Sequence, residues 1–200
     1  MRTPNIINNK MSLDSINSDL NALFLVCAML CIVLVSVVYF FTAFCQGKIR
    51  SRVFNAEFMS QFDTEHQEAF GKPAPVGGYP DCGNGFYSEK LSYKDWYDLN
   101  NWQRAQMNIL ETIIPFSVMV GITAINQPMM AAICSLVFLL GRIMYACGYC
   151  RGGPKGRIPG AVLSDLAILG ALGGAFWSIF TWQESETVDE MNFKILPISQ

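Results

Sequence analysis

Charge is scarce in this chain. Only 15% of its 200 residues are charged, one histidine is present, and 52% of residues are hydrophobic. Ordinary soluble domains run to about 25% charged residues, so this balance excludes one. Leu20–Cys45 contains no charged residue over 26 positions. A basic surplus is also missing. The net charge is −2, and each basic stretch abuts an apolar run with acidic neighbours, so no nucleic-acid partner is expected. The seven cysteines are an odd number and suggest no disulfide framework. Cys27, Cys31, Cys134 and Cys147 fall inside apolar runs and read as small apolar side chains. His66 lies among Asp63, Glu65 and Glu68 with no cysteine or second histidine nearby. That makes a poor transition-metal site, and a solvated acidic helix face is expected, with no metal. Residues 1–19 form a polar N-terminal tail, and the first apolar run is too long for a cleavable signal core. Internal repeats and low-complexity tracts are absent.

Four long apolar runs are what the chain has instead. The first is Leu20–Cys45, about 39 Å long as a helix and enough to cross a bilayer with tilt. The second runs from about Arg104 to Ile125, the third from Pro128 to about Cys150, and the fourth from about Ala161 to Trp182. Trp177 and Trp182 suit the membrane interface. The expected fold is all-α, an integral membrane four-helix bundle over residues 20–182, with a loop at 47–103 and a C-terminal tail at 183–200. Ser18 or Asp19 is the expected cap of the first helix. Gly170 and Gly174 make a small-xxx-small pair for close helix contact in the fourth.

The few charges are unevenly placed. Lys48–Arg104 holds seven Lys or Arg and Arg151–Arg157 holds three, while Asn126–Pro128 holds none and the tail is acidic. The positive-inside rule therefore puts the first and third connections in the cytosol and both termini on the far side. The long first connection has two halves. Asn55–Phe70 suits a short helix, and 73–100 is rich in turn residues and aromatics. A connection this long is usually functional or ordered, and it reads as a folded cytosolic cap, the alternative being a linker.

Two of the apolar runs carry polar stripes. Arg104, Asn108 and Glu111 are spaced i, i+4, i+7, and Arg142, Tyr145 and Tyr149 are spaced i, i+3, i+7. Each triplet falls on one helix face. Charge inside a bilayer-length segment needs a partner or an aqueous cavity, so it marks a functional site by default. A guanidinium forks onto a carboxylate, a carboxylate accepts from an ammonium, and an amide holds peptide groups between them. Glutathione, with two carboxylates and one amine, fits that set. An interhelical polar network with Glu111 paired to Arg142 fits it as well.

The run Arg104–Glu111 followed by Ile113–Phe116, and the later run Gly141–Tyr149, resemble the two helix signatures of the MAPEG family (membrane-associated proteins in eicosanoid and glutathione metabolism). Arg52–Phe54 and Phe70–Lys72 resemble the first cytosolic loop of its microsomal glutathione transferases. The resemblance spans roughly residues 20–182. It implies a homotrimer of four-helix protomers in an endoplasmic-reticulum or mitochondrial membrane, taking glutathione as co-substrate and a lipophilic electrophile from the lipid. No metal or prosthetic group is implied. The implied glutathione-binding residues are Arg104, Gln106, Asn108, Glu111, Arg142, Tyr145 and Tyr149, with Arg50 or Arg52 at the end of the first helix. Arg157, and after it Arg151, are the implied thiolate-stabilising cations. Three features depart from the family: Thr112 stands where one leukotriene-forming branch has tyrosine, the 73–100 insert is long, and Asp165 matches no motif.

The implied function is glutathione transfer to lipophilic electrophiles, extending to glutathione-dependent peroxidase chemistry. The rival is a non-catalytic binding or scaffold subunit of a membrane assembly, since a fold does not fix a function. Cys147-Gly148-Tyr149-Cys150 also matches the C-x-x-C of dithiol oxidoreductases. It overlaps the second signature, however, and no second closely spaced pair sits on a loop to relay electrons.

Overall fold

The computed structural model describes residues 4–79 and 83–195, with side chains between 15 and 181. Cys82 and the side chains of Trp182 and of the acidic tail lie outside what is described. Among those described, helices and short 3-10 turns are the only regular elements. Four helices are long and apolar enough to cross a membrane: α1 (Pro4–Val53), α4 (Tyr93–Asn126), α5 (Pro128–Gly156) and α6 (Ile158–Ile195). Two short helices, α2 (Ala56–Met59) and α3 (Asp63–Phe70), lie between α1 and α4. The fold is the expected all-α four-helix membrane bundle.

Helix starts differ from the sequence expectation, for local reasons. Residues 18 and 19 lie inside α1, which corrects the cap expected at Ser18 or Asp19. No glycine or proline interrupts residues 5–17, and Pro4 stands in the first turn, where its missing N–H costs nothing. The helix α4 begins eleven residues before Arg104. Its start is set by Ser92, whose hydroxyl accepts from the Asp95 amide at 3.2 Å and donates to the Asp95 carboxylate at 2.8 Å. The first turns of α4 are too polar to register as an apolar run.

The chain divides into two compact units. One comprises residues 1–34, 113–139 and 163–200, and the other 35–112 and 140–162. In the first unit, the Phe116 and Phe138 rings stack at 3.9 Å. Thr123 Oγ1 donates to the Ala171 carbonyl at 2.9 Å, and Asn126 Nδ2 donates to the Ser178 carbonyl at 3.1 Å. A Cβ on Gly174 would stand 2.5 Å from Thr123 Cγ2, and one on Gly170 3.0 Å from Cys134 Sγ. The Gly170/Gly174 pair therefore does permit close helix contact.

The second unit holds the connection between α1 and α4, which is folded. Val53, Phe54, Met59, Phe62, Ala74 and Leu99 form its buried core. Asn55 caps α2 by accepting from the Phe58 amide at 2.9 Å, and Asp63 accepts from the Ala74 amide at 2.8 Å. Trp96 Nε1 donates to the Gly83 carbonyl at 2.9 Å. His66 bonds the Lys72 carbonyl at 2.9 Å and packs on Phe70, a local role in closing the end of α3.

Candidate functional site

The polar residues of the second unit are brought together by a break in α5. Gly153 has φ 63° and ψ −152°, inside Gly152-Gly153-Pro154. Proline disfavours a helical conformation in the residue before it, and only glycine takes this φ without strain. The Tyr97 hydroxyl occupies the place where a Cβ on Gly153 would stand. Beyond the break the chain turns into α6 with its backbone against α5. A Cβ on Gly148 would overlap the Gly156 carbonyl, one on Gly156 would overlap the Gly148 carbonyl, and one on Gly160 would overlap the Tyr145 amide. This close hairpin carries Arg157 back over the last turns of α5.

Arg157 Nη1 donates to the Tyr145 hydroxyl at 3.1 Å. Its guanidinium also lies over two rings, 5.5 Å from the Tyr149 centroid and 5.9 Å from that of Tyr145. The hydrogen bond to Tyr145, more than any other influence, pushes the Arg157 pKa above its ordinary value, so the group stays cationic. Tyr145 and Tyr149 are buried with their rings 5.6 Å apart, packed on Ala105 of α4. Arg142, 2% exposed, donates to Asn108 Oδ1 and lies 5.6 Å from the Tyr145 ring. Asn108, Arg142, Tyr145, Tyr149 and Arg157 thus form one connected cluster. A cation fixed between two phenols can hold an anion without reorganising.

The remaining residues of the expected set sort differently. Arg104 and Glu111 face each other at 3.8 Å on a half-exposed surface of α4, with side chains 47% and 48% exposed. The pairing of Glu111 with Arg142, one of the two readings of the sequence, is corrected. Arg142 reaches Asn108, because Asn108 is near the α4 face that packs on Tyr145, whereas positions 104 and 111 turn away from it. Gln106 Nε2 donates to the Tyr39 hydroxyl at 3.4 Å. Arg50 Nε donates to the Gly77 carbonyl at 3.1 Å, and Arg52 bridges Asp95 at 3.4 Å and Asp98 at 3.2 Å. In this arrangement both fasten the cap to the ends of α1 and α4. Arg151 is exposed and lines a separate cavity with Cys147 and Cys150, both of which are free thiols. Tyr39 and Tyr97 were missed by the sequence reading. They lie outside both signatures, and no local signal marks a phenol that contacts a distant helix.

With this geometry in view, the MAPEG family profile matches residues 24–177. The chain belongs to the MAPEG family. A protein of Synechocystis sp. named "Uncharacterized protein sll1147" is 39% identical over 87 residues, covering 43% of this chain and 62% of that protein. The chain thus spans somewhat under two thirds of the length of that relative. Together with the four long apolar helices, membership makes this MAPEG chain an integral membrane protein. The matched range contains both polar stripes and the Arg157 turn.

Proposed function

We propose that this MAPEG protein is a glutathione transferase acting on lipophilic electrophiles in a membrane, through a thiolate stabilised by Arg157. The observation that carries this reading is the Arg157 guanidinium held by Tyr145 at 3.1 Å and over the Tyr149 ring. A free thiol has a pKa of about 8.5, so little is ionised at neutral pH. A fixed cation beside the sulfur favours the thiolate and releases the proton to solvent. The thiolate then attacks an electrophilic carbon, forming a C–S bond as the leaving group departs. The same thiolate attacking a hydroperoxide oxygen breaks the O–O bond, releases the alkoxide, which is protonated to the alcohol, and leaves a sulfenic acid that a second glutathione converts to the disulfide and water.

The rest of the tripeptide needs Arg104 and Glu111, which lie on an outward-turned surface of the protomer. A second protomer supplying its Tyr145/Arg157 cluster completes the site, which favours the homotrimer. Both basic connections then lie in the cytosol and the termini on the other side, in the endoplasmic reticulum or a mitochondrial membrane. One observation favours the rival binding or scaffold reading. Arg104 pairs with Glu111, and Arg142 with Asn108, so each of these cations already has a partner within the protomer. Ultraviolet titration of bound glutathione separates the two. A thiolate pKa well below that of free glutathione supports the transferase, and an unshifted one supports the scaffold.

A further inference from the structure

The stretch 151–157 that carries Arg157 is exposed or half-buried at every position except Gly153. Tyr97, from the second turn of α4, stands on that glycine. Its hydroxyl fills the place of a Cβ, so only a bare Cα admits it. The same glycine holds φ 63° ahead of Pro154, where the chain leaves α5 for the close hairpin. One side-chain contact therefore falls on the residue that sets the direction of the turn. Arg157 follows four residues later.

Tyr97 is itself held by the cap. Its ring lies 6.0 Å from that of Tyr93, which lies 6.0 Å from that of Trp96. Trp96 Nε1 and Asn100 Nδ2 both donate to the Gly83 carbonyl, at 2.9 and 3.2 Å. Leu99 enters the buried core of the cap with Val53 and Phe54. Positions 96, 99 and 100 are thus fixed by the cap, and position 97 among them meets α5. A packed side chain that abuts backbone transmits position, because packed interiors yield little. We propose that Tyr97 is the positioning residue of the Arg157 site, joining the folded cap to the guanidinium through Gly153. Its part is to keep Arg157 against Tyr145 and Tyr149. The kinetic consequence rests on the glutathione reading, whereas the mechanical link does not.

Tyr97→Phe deletes the hydroxyl and keeps the ring within the cap, so the protein should fold. The test uses the ligand-free, full-length protein in phospholipid nanodiscs. Backbone amides of 151–157 should exchange hydrogen at least about tenfold faster, and those of 56–70 at the wild-type rate. Tyr93→Phe, the same deletion on an exposed neighbouring ring, should change neither. In Tyr97→Phe, turnover of glutathione should fall about tenfold and its ionisation limb should move upward. Glutathione affinity should stay nearly intact, because misplacing Arg157 costs rate before binding. In the Arg157→Ala background the same change should have little further effect. Wild-type exchange at 151–157 in Tyr97→Phe overturns the proposal, as does an undiminished loss of turnover in the Arg157→Ala background. Weakened glutathione affinity with unchanged turnover at saturation overturns it in favour of a direct contact with the tripeptide. Faster exchange in Tyr97→Phe, where the wild type shows no lowered thiolate pKa, keeps the link and removes the glutathione reading.

Discussion

The two compact units of this MAPEG protein use polar residues in opposite ways. All six arginines with described side chains belong to the unit formed by 35–112 and 140–162. In the other unit Thr123, Ser178 and Asn126 are each bonded to backbone of a neighbouring helix. Hydroxyl-to-carbonyl bonds add modest stability and leave nothing for a ligand. A guanidinium is expensive in an apolar setting and is tolerated there only against partners, so its concentration in one unit marks where ligand chemistry is possible. Small residues divide in the same manner. Gly170 and Gly174 bring helices together in one unit, whereas Gly148, Gly156 and Gly160 in the other bring a cation to two phenols.

The sharpest way to break this comparison is at Arg142. Arg142→Leu removes a charged hydrogen bond and strands the Asn108 side-chain carbonyl, and it should destabilise the protein by about 1–3 kcal/mol. Thr123→Val in the other unit should cost about 1 kcal/mol. Thermal aggregation midpoints in detergent would compare them, and equal losses would mean that Arg142 is no more integral than a hydroxyl.

Next in size is the hairpin. Gly156→Ala should push α5 and α6 apart and move Arg157 off Tyr145, cutting conjugation of glutathione to a chromogenic electrophile by at least about tenfold. Gly174→Ala, whose Cβ would stand 2.5 Å from Thr123 Cγ2, should lower stability by about 1–3 kcal/mol and leave the turnover of folded protein unchanged. Loss of turnover in the second variant would merge the two roles.

A third expected effect is on pH dependence. Hydrogen bonding to Tyr145 raises the Arg157 pKa, so that group stays charged and contributes no limb to the profile. Turnover should rise with pH only as bound glutathione ionises. Arg157→Ala should move that limb upward, toward about 8.5, with glutathione affinity nearly intact, since the lost interaction is mainly with the charged sulfur. An unmoved limb would remove Arg157 from the chemistry.

The smallest stability effect should come from the exposed pair. Glu111→Gln should change stability by no more than about 1 kcal/mol, as expected for an exposed ion pair. It should nevertheless weaken glutathione binding by about tenfold to a hundredfold, the worth of a charged hydrogen bond. Normal glutathione affinity together with dissociation of the protein in detergent would make the pair structural.

Much of this was legible in the residues themselves. Uninterrupted apolar runs specify spanning helices because a backbone in lipid must bond within its own segment, so four runs meant four helices. The i, i+3, i+4 and i+7 spacing of the polar residues specified their helix faces, and two signature runs in order specified the family. Helix ends were less legible, because they depend on single hydrogen bonds such as the Ser92–Asp95 cap rather than on composition. The partnerships were not legible at all. Arg142 meets Asn108 and not Glu111, Arg104 keeps Glu111 for itself, and Arg157 bonds the Tyr145 phenol. Those choices depend on how closely α5 and α6 approach and on where the chain breaks at Gly153. Spacing along one helix fixes which side chains share a face. Only the packing of one helix against another decides which face meets which charge.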